Sequence, residues 1–140
     1  MHLLRLPVLL LCLTSAGCID VSGGALEARW DLRDEKDGTR IDCATAKFRA
    51  MRFLLQAIAD QSDPCSPAQG DRCLFACDRE VGTTGFFIPE GDYSIVLRAV
   101  SESGQELGPA EGVVVPSPVV RQVRVGQLVD LGVNLVIVRR

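Results

Sequence analysis

The chain has 140 residues with 18 acidic against 15 basic side chains, a net charge of −3, so no basic field draws it to nucleic acid. Its single histidine, His2, stands at the very start, and the rest of the chain has no imidazole base and no histidine metal ligand. That excludes a Ser-His-Asp triad, and no G-x-S-x-G elbow, S-x-x-K motif or glycine-rich phosphate loop occurs.

His2 and Arg5 form a short, weakly basic start, and Leu6 to Leu13 is an apolar run broken only by Pro7. The small residues Thr14, Ser15, Ala16 and Gly17 come next. This is the order of a secretory signal: charged start, apolar middle, small-residue cleavage site. The run is too short to span a bilayer, which takes about 20 apolar residues.

The stretch Leu13-Thr14-Ser15-Ala16-Gly17-Cys18 resembles the lipobox of bacterial lipoproteins. In that family a lipid is attached to the cysteine thiol, the chain is cut just before it, and the new amine is acylated. The resemblance implies lipidation at Cys18. One departure is Ser15, where the family usually has Leu; ordinary secretory cleavage near Ala16, leaving Cys18 as a spare thiol, is the alternative. Ile19 after the cysteine, with Asp20 one place later, implies by the same resemblance the outer membrane rather than the inner.

The expected organisation is a lipoprotein signal peptide over 1–17, a lipidated tether over 18–24 and one β-sandwich domain over 25–140. Removing 1–17 takes away one charged side chain, Arg5, so the formal net charge moves from −3 to −4. Ser22-Gly23-Gly24 reads as the flexible part of the tether. The 123 residues that remain after the signal suffice for one buried core.

Six cysteines occur: Cys12 in the signal, Cys18 at the lipid position, and Cys43, Cys65, Cys73 and Cys77 in the domain. Four cysteines in an exported chain imply disulfides, and three pairings are open. Cys43–Cys77 with Cys65–Cys73 is favoured. The second pair closes a loop containing Pro67 and Gly70, residues suited to a tight return; the first joins two predicted strands. A Cys₄ zinc site or a redox pair is weaker, because no C-x₂-C spacing occurs.

Ala25 to Leu32 alternates cleanly: Leu26, Ala28, Trp30 and Leu32 on one face, Glu27, Arg29 and Asp31 on the other. This is a half-buried strand. Asp34-Glu35-Lys36-Asp37-Gly38 is a polar turn. Residues 44–60 admit two readings. Phe48, Met51, Leu55 and Ile58 fit one helical face, and periodicity alone leans that way; Met51, Phe53, Leu55 and Ala57 fit a strand face. The flanking strands, and the resemblance below, favour a strand from Phe48 to Ala57.

Cys73 to Cys77 reads as a short strand, Gly82 to Gly85 as a turn, and Pro89-Glu90-Gly91-Asp92 as a strong turn signal. Tyr93, Ile95, Leu97 and Ala99 mark the clearest strand, followed by a hairpin-like turn at Ser101–Gly104. Runs at 112–115, 119–125 and 129–138 complete seven or eight short strands, the sequence form of an antiparallel β-sandwich. The last run would aggregate as a bare edge, so it is expected inside a sheet with Arg139 and Arg140 as charged stops.

Trp30-Asp31-Leu32, Ile41-Asp42-Cys43 with Ala46, Leu74-Phe75-Ala76-Cys77, Pro89-Glu90-Gly91-Asp92-Tyr93-Ser94-Ile95 and Gly104, in that order, resemble the small lipoproteins of myxobacteria and their relatives. Those look like single β-sandwiches similar to carboxypeptidase-regulatory or transthyretin-like modules. The likeness covers most of 25–138 and brings no active site to carry over. Cys65 and Cys73 look like an addition to its pattern. Gly91-Asp92-Tyr93 is similar to a tyrosine corner, in which the phenol bonds backbone across a turn.

The functional expectation is a lipid-anchored, non-catalytic binding or structural module, without cofactor. It would be held to the membrane by its N-terminal lipid and would meet an envelope protein or a glycan. The alternatives are a small hydrolase using paired carboxylates among Glu80, Glu90, Asp92, Glu102, Glu106 and Glu111, or an accessory subunit of a larger envelope complex.

Overall fold

The computed structural model describes residues 21–140. Cys18 and the signal segment lie outside the described residues. Nine strands occur among them: β1 (Ala25–Asp34), β2 (Phe48–Ala57), β3 (Leu74–Ala76), β4 (Val81–Thr83), β5 (Gly91–Ser101), β6 (Glu106–Leu107), β7 (Val113–Val114), β8 (Val119–Val123) and β9 (Leu128–Val138). One helical turn, α1 (Cys43–Ala46), precedes β2.

The strands form two packed sheets. One has the order β4-β1-β9-β7; the other has β3-β2-β5-β6, with β8 also paired to β5. The all-β sandwich expected from the alternating runs is the architecture found. Every ladder is antiparallel except one: β1 and β9 run parallel, from Ala25 beside Leu128 to Asp34 beside Val138. That ladder is the one parallel pairing in an otherwise antiparallel sandwich. A parallel neighbour needs a long crossover, and here nearly the whole domain separates the first strand from the last.

Residues 48–57 form a strand because β5 supplies a full-length partner, from Phe48 opposite Ser101 to Ala57 opposite Tyr93. Met51, Phe53, Leu55 and Ala57 then point inward and are buried, as the period-two reading requires. The helical alternative survives only as α1, whose N-cap Asp42 accepts the Thr45 N–H at 2.7 Å. The segment read as a turn at Gly82–Gly85 instead begins as β4, which covers the edge of β1 between Glu27 and Arg29.

The final run is paired, but unequally. β1 lines one side of β9, whereas β7 reaches only Ile137 and Val138 on the other. A bulge at Leu131-Gly132 sets two residues against Ala28. Gly132 takes φ +68, and its N–H donates to Asp130 Oδ1 at 2.8 Å. The bulge turns Val136 and Val138 into the core and leaves Val133 68% exposed.

Between the sheets lie Leu26, Trp30 and Leu32 from β1, Met51 and Phe53 from β2, Ile95 and Leu97 from β5, and Val136 from β9. Phe75 meets Phe53 edge-on, with ring centroids 5.4 Å apart.

The ends of the sandwich differ. Residues 22–24, read as flexible tether, are held in the fold. The N–H groups of Ser22 and Gly23 donate to Phe86 O, Gly24 pairs with Ile88, and Gly126 N–H donates to Gly23 O at 3.0 Å. The glycines serve close packing: a Cβ on Gly24 would lie 2.4 Å from Val123 Cγ1. At the opposite end β1, β2, β5 and β9 meet α1 and the C-terminal arginines.

Candidate functional site

The four domain cysteines pair as favoured from the sequence: Cys43 with Cys77 and Cys65 with Cys73. The expectation that the first bond joins two strands is corrected. Cys43 opens α1 and Cys77 opens the 3₁₀ turn after β3. Their bond ties α1 to the edge of the second sheet. Trp30 locks the junction by donating its indole N–H to Cys77 O at 2.7 Å.

Beside this clasp is a cleft of about 170 Å³ lined by Trp30, Leu32, Arg40, Ile41, Asp42 and Glu80. Arg40 spans it, 2.6 Å from Glu80 and 3.3 Å from Asp31. Its volume is below the roughly 300–1,000 Å³ of ordinary ligand pockets, and its one bridging cation is already neutralised.

A roomier cleft of about 380 Å³ lies at the end remote from residue 21. Phe48, Leu107, Val113 and Val138 supply its apolar floor, and Lys47, Glu111, Arg139 and Arg140 its rim. Lys47 closes α1 in the left-handed conformation, φ 59, with its N–H donated to Ala44 O. Arg139 makes a two-point ion pair with Glu35, at 2.6 and 2.8 Å. Arg140 pairs with the buried Asp34 carboxylate.

These pairs shift the acids they join. The Glu35 carboxyl is held below its ordinary value by the Arg139 hydrogen bond. Asp34 is lowered first by the Lys36 N–H and then by Arg140. Asp42 is lowered by its hydrogen bonds from Thr45. Asp63, beside the Cys65–Cys73 loop, goes the other way, because burial pushes it up against the hydrogen bond from the Cys65 N–H.

The six candidate carboxylates do not gather at one site. Glu80 is bound to Arg40; Glu106 sits 3.7 Å from Arg52; Glu111 accepts the Gly108 N–H at 2.8 Å in its own turn. Glu90, Asp92 and Glu102 are exposed, the first two at the opposite end from Glu102. Among the described residues no group of three or more His, Cys, Asp or Glu side chains is placed to hold a metal ion. Tyr93 does what the tyrosine-corner likeness implied: its hydroxyl donates to Pro89 O at 2.9 Å.

Sequence reading missed the remote cleft. Its walls come from residues 45–48, 107–113 and 138–140, and no local period connects them. The signal available was the complementarity of Asp34-Glu35 after the first strand with Arg139-Arg140 after the last, which becomes readable only once those strands are known to be parallel neighbours. No family model, no curated protein and no solved structure matches the chain.

Proposed function

We propose that the protein is a lipid-anchored β-sandwich of the bacterial cell envelope, an outer-membrane lipoprotein attached through Cys18. It acts as a non-catalytic binding or structural module. The observation that carries this reading is the disulfide frame. All four domain cysteines are paired, and Cys65, Cys73 and Cys77 are buried, which suits an oxidising compartment outside the cytoplasm. That compartment is where the signal order at residues 1–17 would deliver the chain. Glu80 at the first cleft and Glu111 at the remote one are engaged by Arg40 and by the Gly108 N–H respectively.

The binding surface on this reading is the remote cleft, which an anchor at Cys18 would leave facing away from the bilayer. Its apolar floor and mixed rim suit a segment of an envelope protein or a glycan. Intact mass measurement of the membrane-extracted protein, before and after reduction and alkylation, tests the anchor. The expected result is a chain starting at Cys18, heavier by several acyl groups, with four thiols appearing only on reduction. A free chain with accessible thiols would overturn it. The only lysines, Lys36 and Lys47, both lie at the remote end. An amine-reactive cross-linker applied to intact cells therefore reports on that end, and a variant with both Lys36→Arg and Lys47→Arg that captures its partner as well as the parent would remove the cleft from consideration.

A further inference from the structure

We infer that the end of the sandwich where the chain enters is a bilayer-contacting surface. Val21, Val125 and Leu128 there meet the interfacial region of a phospholipid membrane, and the domain sits on the lipid rather than swinging from a tether. The inference rests on the lipid-anchor reading for one of its two supports.

The first support is the length of free chain. Ser22, Gly23 and Gly24 are hydrogen-bonded into the fold through Phe86 and Ile88. Cys18 to Ser22 is four residue steps, at most about 14 Å fully extended. A lipid on Cys18 cannot lie in a bilayer without bringing this end of the domain to the surface.

The second support is independent of the lipid. Val21 is 46% exposed, Val125 52% and Leu128 48%, and all three lie at this end: Leu128 pairs with Ala25, and the side chain of Val21 reaches to 4.0 Å from where a Cβ on Gly126, next to Val125, would stand. Ile58, 52% exposed, lies at the same end, its N–H donated to Asp92 O. Apolar side chains on a turn and at strand ends are the shape that enters a headgroup layer. Asp60, Glu90 and Asp92 lie at this end, and so do Arg72 over the Phe87 ring, Arg121 opposite Tyr93, and Arg124, so neither sign of charge dominates it. Attraction is therefore apolar rather than electrostatic, and neutral lipid suffices.

The test uses the acylated full-length protein in phosphatidylcholine vesicles carrying a nitroxide-headgroup quencher. An environment-sensitive fluorophore is placed at Val125→Cys or, as reference, at Ser103→Cys on the turn after β5. Both sites are exposed, so melting is expected to match the parent. Quenching at the first position is expected to exceed that at the second several-fold and to be unchanged in high salt. Equal quenching at the two sites, or loss of the contrast in salt, would overturn the inference.

A second variant separates leash from surface. A Gly/Ser spacer of about 20 residues between Asp20 and Val21, reaching roughly 25 Å on average, frees the domain. Retained contrast supports a surface with its own affinity for lipid; lost contrast overturns it. An acylated chain that floats with vesicles but shows no contrast sinks this inference alone. A chain without acyl groups that stays in solution sinks the anchor reading with it. Shielding that persists in quencher-free micelles and grows with protein concentration marks a second copy as the occupant, and also overturns it.

Discussion

At the end where the chain enters, residues 22–24 are held by backbone hydrogen bonds and by glycines packed against Ile88 and Val123. At the remote end the first and last strands are joined by charged side chains, Glu35 with Arg139 and Asp34 with Arg140, and α1 is tied down by a disulfide. The contrast is physical. Backbone bonds and steric fit do not respond to salt or to protonation of carboxylates, whereas ion pairs respond to protonation and, where exposed as Glu35–Arg139 is, to salt. One end is set by shape and the other by charge and a covalent link, so different perturbations reach them.

The largest expected effect is on the remote side. Replacing both Cys43 and Cys77 by Ala opens a 34-residue separation and costs about 4 kcal/mol in the chain-entropy account. The same change at Cys65 and Cys73, 8 residues apart, costs about 2.5 kcal/mol. Denaturant unfolding of the two double variants checks the order; equal losses would mean that burial of the sulfurs, not loop length, sets the effect.

Next comes the entry end. Gly24→Val would set its Cβ 2.4 Å from Val123 Cγ1 and 2.6 Å from Arg124 O, which is backbone. Overpacking of that kind is expected to cost about 3 kcal/mol and to lower Tm by roughly 10 °C. A melting curve that superposes on the parent would show that residues 22–24 are not fixed by packing.

A smaller loss is expected from Tyr93→Phe, which leaves Pro89 O without its 2.9 Å partner. One hydrogen bond of this kind is worth about 1 kcal/mol. The loss is expected to be the same at low and high salt, as a backbone-held end requires.

The smallest effect sharpens the comparison most. Asp34 and Glu35 have native values below their ordinary 3.8 and 4.5. The stability they contribute is present above those ordinary values and is lost as pH falls through the lower native ones. Acid is therefore expected to open the remote end before the entry end. Hydrogen exchange checks this at the Arg139 N–H, bonded to Gly112 O, against the Gly24 N–H, bonded to Ile88 O. Arg139→Ala is expected to weaken that pH dependence around Glu35; an unchanged profile would show that the pair does not hold the end.

Much of the fold was legible because it depends on short-range patterns. Leu26, Ala28, Trp30 and Leu32, and later Tyr93, Ile95, Leu97 and Ala99, face the core as their alternation requires. The Tyr93 corner follows from local residue chemistry, whereas the turn expected at Pro89–Asp92 falls at Phe86–Phe87, with β5 already begun at Gly91. Residues 48–57 were different. Their apolar positions satisfy both periods, and the choice was made by the neighbouring β5, which offers a ladder that a helix cannot use. The turn signal at Gly82–Gly85 was partly overruled because β1 needed cover on its edge.

Alone, the amino-acid order determined the half-buried strands, the tyrosine corner, the polar turns and the absence of any histidine after position 2. These are properties of residues within a few positions of one another. Only the tertiary structure decided that β1 and β9 run parallel, that a bulge at Gly132 turns Val133 outward, and that Asp34-Glu35 meet Arg139-Arg140 beside a cleft. Each of those brings together residues about 100 positions apart. Such pairings follow from which strand edges remain to be satisfied once the local elements have formed.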